Sequence, residues 1–172
     1  GVLNIGMVHP DDLEAREGFI EGRLREGHTA EDLLAKYRAR FDKDPGSPVP
    51  IFAEAYLLGR RVPAIADPKA REQQIDAALA LVRKAHEAAP RRVEIHLLWA
   101  YLAHQRLLLR GDRMAAVEAN AHYLLALDLA RDNARAAATA EEALGHLQSD
   151  VGNYMMALDF FERRERLPFA DA

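Results

Sequence analysis

The sequence predicts an all-α fold, with eight helices folded back on one another as about four antiparallel hairpins. Three observations carry the prediction. Apolar residues recur at helical spacing in every long segment, turn-forming residues interrupt the chain at regular intervals, and no segment alternates as a strand would. The chain has 172 residues, enough to bury the core of one domain, and 49% of them are hydrophobic, which excludes a disordered polymer.

The elements follow in order. Residues 1–10 are apolar without helical spacing and are expected to form an N-terminal arm. From Asp11, the residues Leu13, Phe19, Ile20 and Leu24 mark a first helix that Gly27 ends. Thr29, followed by Glu31 and Asp32, is placed as an N-cap with acidic residues in the first turn. That second helix carries Leu33, Leu34, Tyr37 and Phe41 on one face and stops before Pro45. A third is expected over about 49–58, ended by Gly59, and residues 60–70 read as a long connection. Pro68 suits the first turn of a fourth, which Pro90 closes. Helices over about 93–110, 113–130 and 134–149 follow, separated by Gly111-Asp112 and Asp132-Asn133. The turn at 150–153 leads to the last, which ends near Leu167-Pro168.

The second helix of each hairpin repeats one spacing: Leu33-x3-Tyr37 with Pro45, Ala78-x3-Val82-x2-Ala85-x4-Pro90, Ala119-x3-Tyr123-x2-Ala126, and Ala157-x3-Phe161 with Pro168. A small residue lets two helices approach closely, and the bulky residue four later fills the gap on the same face. The first helices add Phe52-Ala53-x2-Tyr56, Trp99-x2-Leu102-Ala103 and Leu144-Gly145. This set resembles the tetratricopeptide repeat. The resemblance covers about residues 11–169, as repeats 11–45, 46–90, 91–131 and 132–169. It departs from the family in three places. The second repeat is about ten residues long in excess, the third has an extra helical turn near Leu107, and the first has Ile20-Glu21 where a small residue is expected. The resemblance implies a right-handed α-solenoid whose first helices line a concave groove that takes a segment of a partner protein.

Carried over by register, the groove candidates are Glu54 and Leu57 in the second repeat, Ala100, His104 and Leu107 in the third, and Thr139, Glu142, His146 and Ser149 in the fourth. Either Leu107 or Leu108 gripping an apolar peptide is the sharper reading of that stretch, and burial on several sides is the plainer one. The Lys/Asn set with which some members clamp a C-terminal carboxylate is not visible.

The expected role is a non-catalytic scaffold or adaptor, by analogy in a bacterial secretion, envelope or motility assembly. No catalytic residue, metal or cofactor is expected. The sequence has no HExxH, GxSxG, phosphate-loop or dinucleotide motif, and no cysteine. His96 and His104, eight apart, are too far along a helix for the usual ligand pair. A formal charge of −4 argues against nucleic acid as partner, and no apolar run is long enough to span a membrane. Two other readings stay open: an RNA-binding helical repeat, which needs a basic groove, and an enzyme with an unrecognised His/Glu site, which needs a deep polar pocket. The exposed ends of a short solenoid are expected to be covered by a second copy or by further repeats. Localisation is cytoplasmic by default, and periplasmic or lipid-anchored if an N-terminal signal has been removed.

Overall fold

The computed structural model describes residues 13–152 and 154–166, with the backbone alone for 154–159. Among these residues there are eight α-helices and no strand: α1 Leu13–Arg25, α2 Ala30–Lys43, α3 Pro48–Arg61, α4 Pro68–Ala88, α5 Val93–Arg110, α6 Arg113–Leu129, α7 Ala134–Asp150 and α8 Tyr154–Glu165. The expected arm at 1–10, the Ala157 side chain and Pro168 lie outside the described residues.

The helix starts are capped by the side chains that the sequence places there. The oxygens of Thr29, Ser47, Asp67, Asp112 and Asn133 accept from backbone N–H groups in the first turns of α2, α3, α4, α6 and α7. At the far end of α5, Gly111 adopts φ +67°, a left-handed conformation that turns the chain into α6.

Two expectations for 59–70 need correction. The third helix does not stop at Gly59 but runs on to Arg61, and a 3₁₀ turn, Val62–Ala64, follows directly. What looked like a long loop is mostly helix. Gly59 is there for space: a Cβ on it would stand 3.2 Å from Leu102 Cδ2 and 3.4 Å from Leu98 Cδ1. The small residue lets α3 lie against α5, and Arg71 ties the short connection down by donating from Nε to the Ile65 carbonyl at 2.8 Å.

From α2 to α8 each helix packs against its neighbours in sequence, and the odd-numbered helices also touch one another in the order α1, α3, α5, α7. That pattern defines a solenoid, with contacts confined to adjacent repeats and odd helices lining one side. The core is accordingly divided. One cluster, around Ile20, Tyr37 and Leu57, joins α1, α2 and α3. A second, around Phe52, Leu79 and Leu102, joins α3, α4 and α5. A third, around Ala119, Leu144 and Phe160, joins α5 to α8.

Close packing follows the small residues. Ala78, Ala85, Ala119 and Ala126 are fully buried where α4 and α6 meet their partners. Gly145 lies under Phe161, whose ring carbons would stand 3.0 Å from an added Cβ. The first pair is the exception. The backbone of α1 packs chiefly on α3 and not on α2, and Ile20 and the buried Arg16 fill the space between α1 and α2. Arg16 spans the gap by donating from Nη1 to the Tyr37 hydroxyl at 3.1 Å.

A concave groove as the candidate functional site

The odd-numbered helices enclose two adjoining cavities. The larger, about 320 Å³, is lined by Glu17 of α1, Tyr56 and Arg60 of α3, Leu97, Leu98 and Tyr101 of α5, and Thr139 of α7. The smaller, about 150 Å³, shares Glu17, Leu97 and Thr139 and adds Glu14, Glu94 and Arg135 among its walls. Residues from α1 and α7 therefore face one cavity, so the stack curves enough to bring its first and seventh helices to opposite walls of one groove.

The walls are fixed by polar ties. Tyr56 donates its hydroxyl to Glu21 Oε2 at 2.7 Å, and Arg60 Nε reaches the same oxygen at 2.6 Å. Burial opposes ionisation of Glu21, but these two donors hold its carboxyl below the ordinary range. Tyr101 donates to the Gly59 carbonyl at 3.2 Å. Glu17 sits differently. Burial first, then the nearby carboxylates of Glu94, Glu14 and Glu21, push its carboxyl up to about 8. The groove is thus apolar on α5, with an acidic group at its centre that is poorly solvated.

The residues expected from sequence fall into three groups. Thr139 does line the groove, exposed, with its hydroxyl donating to the Arg135 carbonyl at 3.0 Å. Glu142, His146 and Ser149 share its helical face but line neither cavity: Glu142 pairs with Arg164 of α8 at 3.2 Å, His146 packs edge-on against Phe161, and Ser149 is half-buried. Leu57, Ala100 and His104 are a correction. All three are buried in the core and offer a partner no surface. Glu54 also faces away, accepting from Arg38 Nε of α2 at 2.8 Å, and Leu107 packs against the third core cluster.

The reason is a matter of helical phase. On α5, Ala100, His104 and Leu107 form the face that meets α6 and α7, Tyr101 lies about a quarter turn round from Ala100 and faces the groove, and Leu97 stands at the border, touching both the groove and the third core cluster. His104 shows it directly: Nε2 meets Asp150 Oδ2 of α7 at 2.6 Å, and Nδ1 lies 3.4 Å from the Tyr123 hydroxyl of α6. The signal that sequence reasoning missed is Tyr56, Leu97 and Tyr101, together with the run of carboxylates Glu14, Glu17 and Glu21 on α1.

A second cluster, unforeseen in the sequence, joins α4, α5 and α6 behind the groove. His96 and His122 meet Nδ1 to Nδ1 at 3.0 Å, with ring planes 19° apart. The Pro90 carbonyl only accepts, so His96 Nε2, 2.9 Å away, carries its hydrogen. The Nδ1 of neutral His96 is then the acceptor and His122 Nδ1–H the donor. Burial lowers both rings' affinity for a proton, and His122 falls to about 4. Trp99 stacks on His122 with centroids 4.0 Å apart and donates Nε1–H to Glu118 at 2.7 Å. Among the described residues no group of three or more His, Asp or Glu is placed to hold a metal.

One solved structure decides the fold. A thermophilic TPR protein from Thermus thermophilus superposes with a TM-score of 0.68 over 95% of this chain and 77% of its own, at 20% identity. The fold is tetratricopeptide-like. No family model matches the chain, and no curated protein does. In this tetratricopeptide-like solenoid Trp99 holds the large first-helix position of the third repeat, and Gly145 with Phe161 forms the close contact of the fourth.

Proposed function

We propose that the protein is a non-catalytic scaffold that holds a segment of a partner protein in the groove between α1, α3, α5 and α7. The observation that carries the reading is the pair of adjoining cavities, about 320 and 150 Å³, on the concave side of a tetratricopeptide-like stack. Leu97, Leu98 and Tyr101 offer an apolar side chain a place to leave water. Burial and the neighbouring carboxylates keep Glu17 protonated, and a cation set beside it favours its ionised form. The segment this chemistry suits carries an apolar residue next to Lys or Arg. Thr139 belongs to the contact surface, and Glu142, His146 and Ser149 extend it toward the end of α7.

The test is selection from a random peptide library on the wild-type chain, followed by binding measurements. Thr139→Trp fills the groove from an exposed position without disturbing the core. Selected peptides should be apolar and basic, and Thr139→Trp should weaken them at least about tenfold while the helical circular dichroism stays unchanged. Peptides that bind Thr139→Trp and wild type equally would place the contact elsewhere. Tight, salt-sensitive binding of RNA at the same groove would replace the protein partner with a nucleic acid.

A further inference from the structure

The exposed large hydrophobic side chains of the described residues gather on the outer face of α6. Among the described residues six large hydrophobic side chains are exposed, and four of them, Met114, Val117, Leu124 and Leu125, stand on this helix. Met114 is 70% and Val117 60% exposed, and they form one strip with Leu124 and are not scattered singly, which marks an interaction surface. A fifth, Val151 at the end of α7, shares a surface hollow of about 450 Å³ with Val117 and widens the strip.

The spacing is regular. Met114, Val117, Ala121, Leu124 and Asp128 follow one another at intervals of three, four, three and four residues. That is the seam of a two-helix coiled coil, in which each apolar residue seats between residues of the facing helix. Ala121, exposed and small, sits mid-way along the 17-residue helix, where two helices crossing face to face come closest. The charges select a direction. Arg113 stands at the start of the strip and Asp128 at its end, both exposed. Antiparallel pairing sets Asp128 of one helix beside Arg113 of the other, twice. Parallel pairing sets like against like at both ends. The strip is therefore complementary to itself under a two-fold axis near Ala121, which is what a closed pair of identical chains requires.

We infer that the protein forms a homodimer through antiparallel pairing of α6 with α6 of a second copy, with the two concave grooves left open. The basis is separate from the groove's proposed partner, and neither depends on the other.

Sedimentation of the full chain over micromolar to hundred-micromolar concentrations reads the dimer directly. The wild type should shift from monomer to dimer with concentration. Leu124→Glu should be monomeric throughout, with unchanged circular dichroism because the site is on the surface. Arg113→Asp should weaken association at least about tenfold, and adding Asp128→Arg should restore it. The chain has no cysteine, so Ala121→Cys offers an independent readout. Mild oxidation should join it into a covalent dimer, and Leu108→Cys, exposed but off the strip, should stay single. A wild type that is monomeric at every concentration overturns the inference. So does a dimer that survives Leu124→Glu, or equal cross-linking from positions 121 and 108. Monomers that bind lipid vesicles through the strip, and lose that binding in Leu124→Glu, would assign it to a membrane surface instead.

Discussion

Two glycines in helix interiors test whether close approach of small residues organises this stack. Gly18 and Gly145 both lie inside helices, α1 and α7, with no left-handed backbone to maintain. Replacing either by Ala adds a better helix former, worth about 1 kcal/mol. What differs is the surroundings of the new methyl. At position 18 nothing lies within 4 Å. At position 145 it would stand 3.0 Å from Phe161 Cε1 and Cζ and 3.2 Å from Cδ1, tighter than ordinary carbon contacts. Forcing that ring aside costs about 1–3 kcal/mol, which cancels the helix gain or exceeds it. Gly18→Ala should therefore raise Tm by about 2–4 °C, and Gly145→Ala should leave it unchanged or lower it by up to about 4–8 °C. Thermal and urea melts of the two variants beside wild type give the comparison. Combining Gly145→Ala with Phe161→Ala should turn the methyl from harmful to favourable, a non-additivity of about 1 kcal/mol or more. Equal stabilisation by both single variants would show that α7 and α8 do not meet as described, and the argument from small residues would fail.

Stability should peak at mildly acidic pH. The folded chain keeps on Glu17 a proton that the unfolded chain releases from its ordinary value of 4.5, so this stability is full below about 4.5 and is lost as pH rises toward 8. Glu17→Gln should flatten that limb, which spans a few kcal/mol. His122 acts in the opposite direction. Its folded value, about 4 against an ordinary 6.5, means stability is full above 6.5 and falls as pH drops toward 4, by about 1–2 kcal/mol after allowance for solvent screening of a half-buried ring. His122→Phe should flatten the acid limb, read from urea midpoints between pH 4 and 8. Tyr37→Phe strips the acceptor from buried Arg16 and should cost about 1–3 kcal/mol, and Arg16→Met added to it should recover much of the loss. Leu79→Ala, in the fully buried centre of the stack, should cost about 2–5 kcal/mol in the same melts.

Much of the fold was legible because helix starts and small-residue contacts are written locally. The Thr29 cap, Pro68 at a helix start and the Gly111 break need only a few neighbouring residues to be read. Gly59 was misread because a glycine that ends a helix and one that admits a neighbour look alike until the neighbour, Leu102, is in place. The groove was harder. Its walls depend on helical phase, and a quarter-turn error on α5 put Ala100 in the place of Tyr101. Curvature was beyond reach as well. That α1 and α7 share a cavity depends on small rotations summed over three joints, and no single segment encodes the sum. The His96–His122 contact joins two residues 26 apart in sequence, with no motif to announce it.

The loose seating of α1 on α2 has a consequence for how the chain comes apart. A stack divided into three successive cores has no centre that must fail at once, so unravelling begins at whichever extremity grips least. The leading pair, whose backbones stand apart and which is joined only through side chains such as Ile20 and Arg16 reaching across to α2, is such a place. Amide exchange should grade from fast near the front to slow around Leu102, like a zipper whose first teeth are spaced too widely to lock.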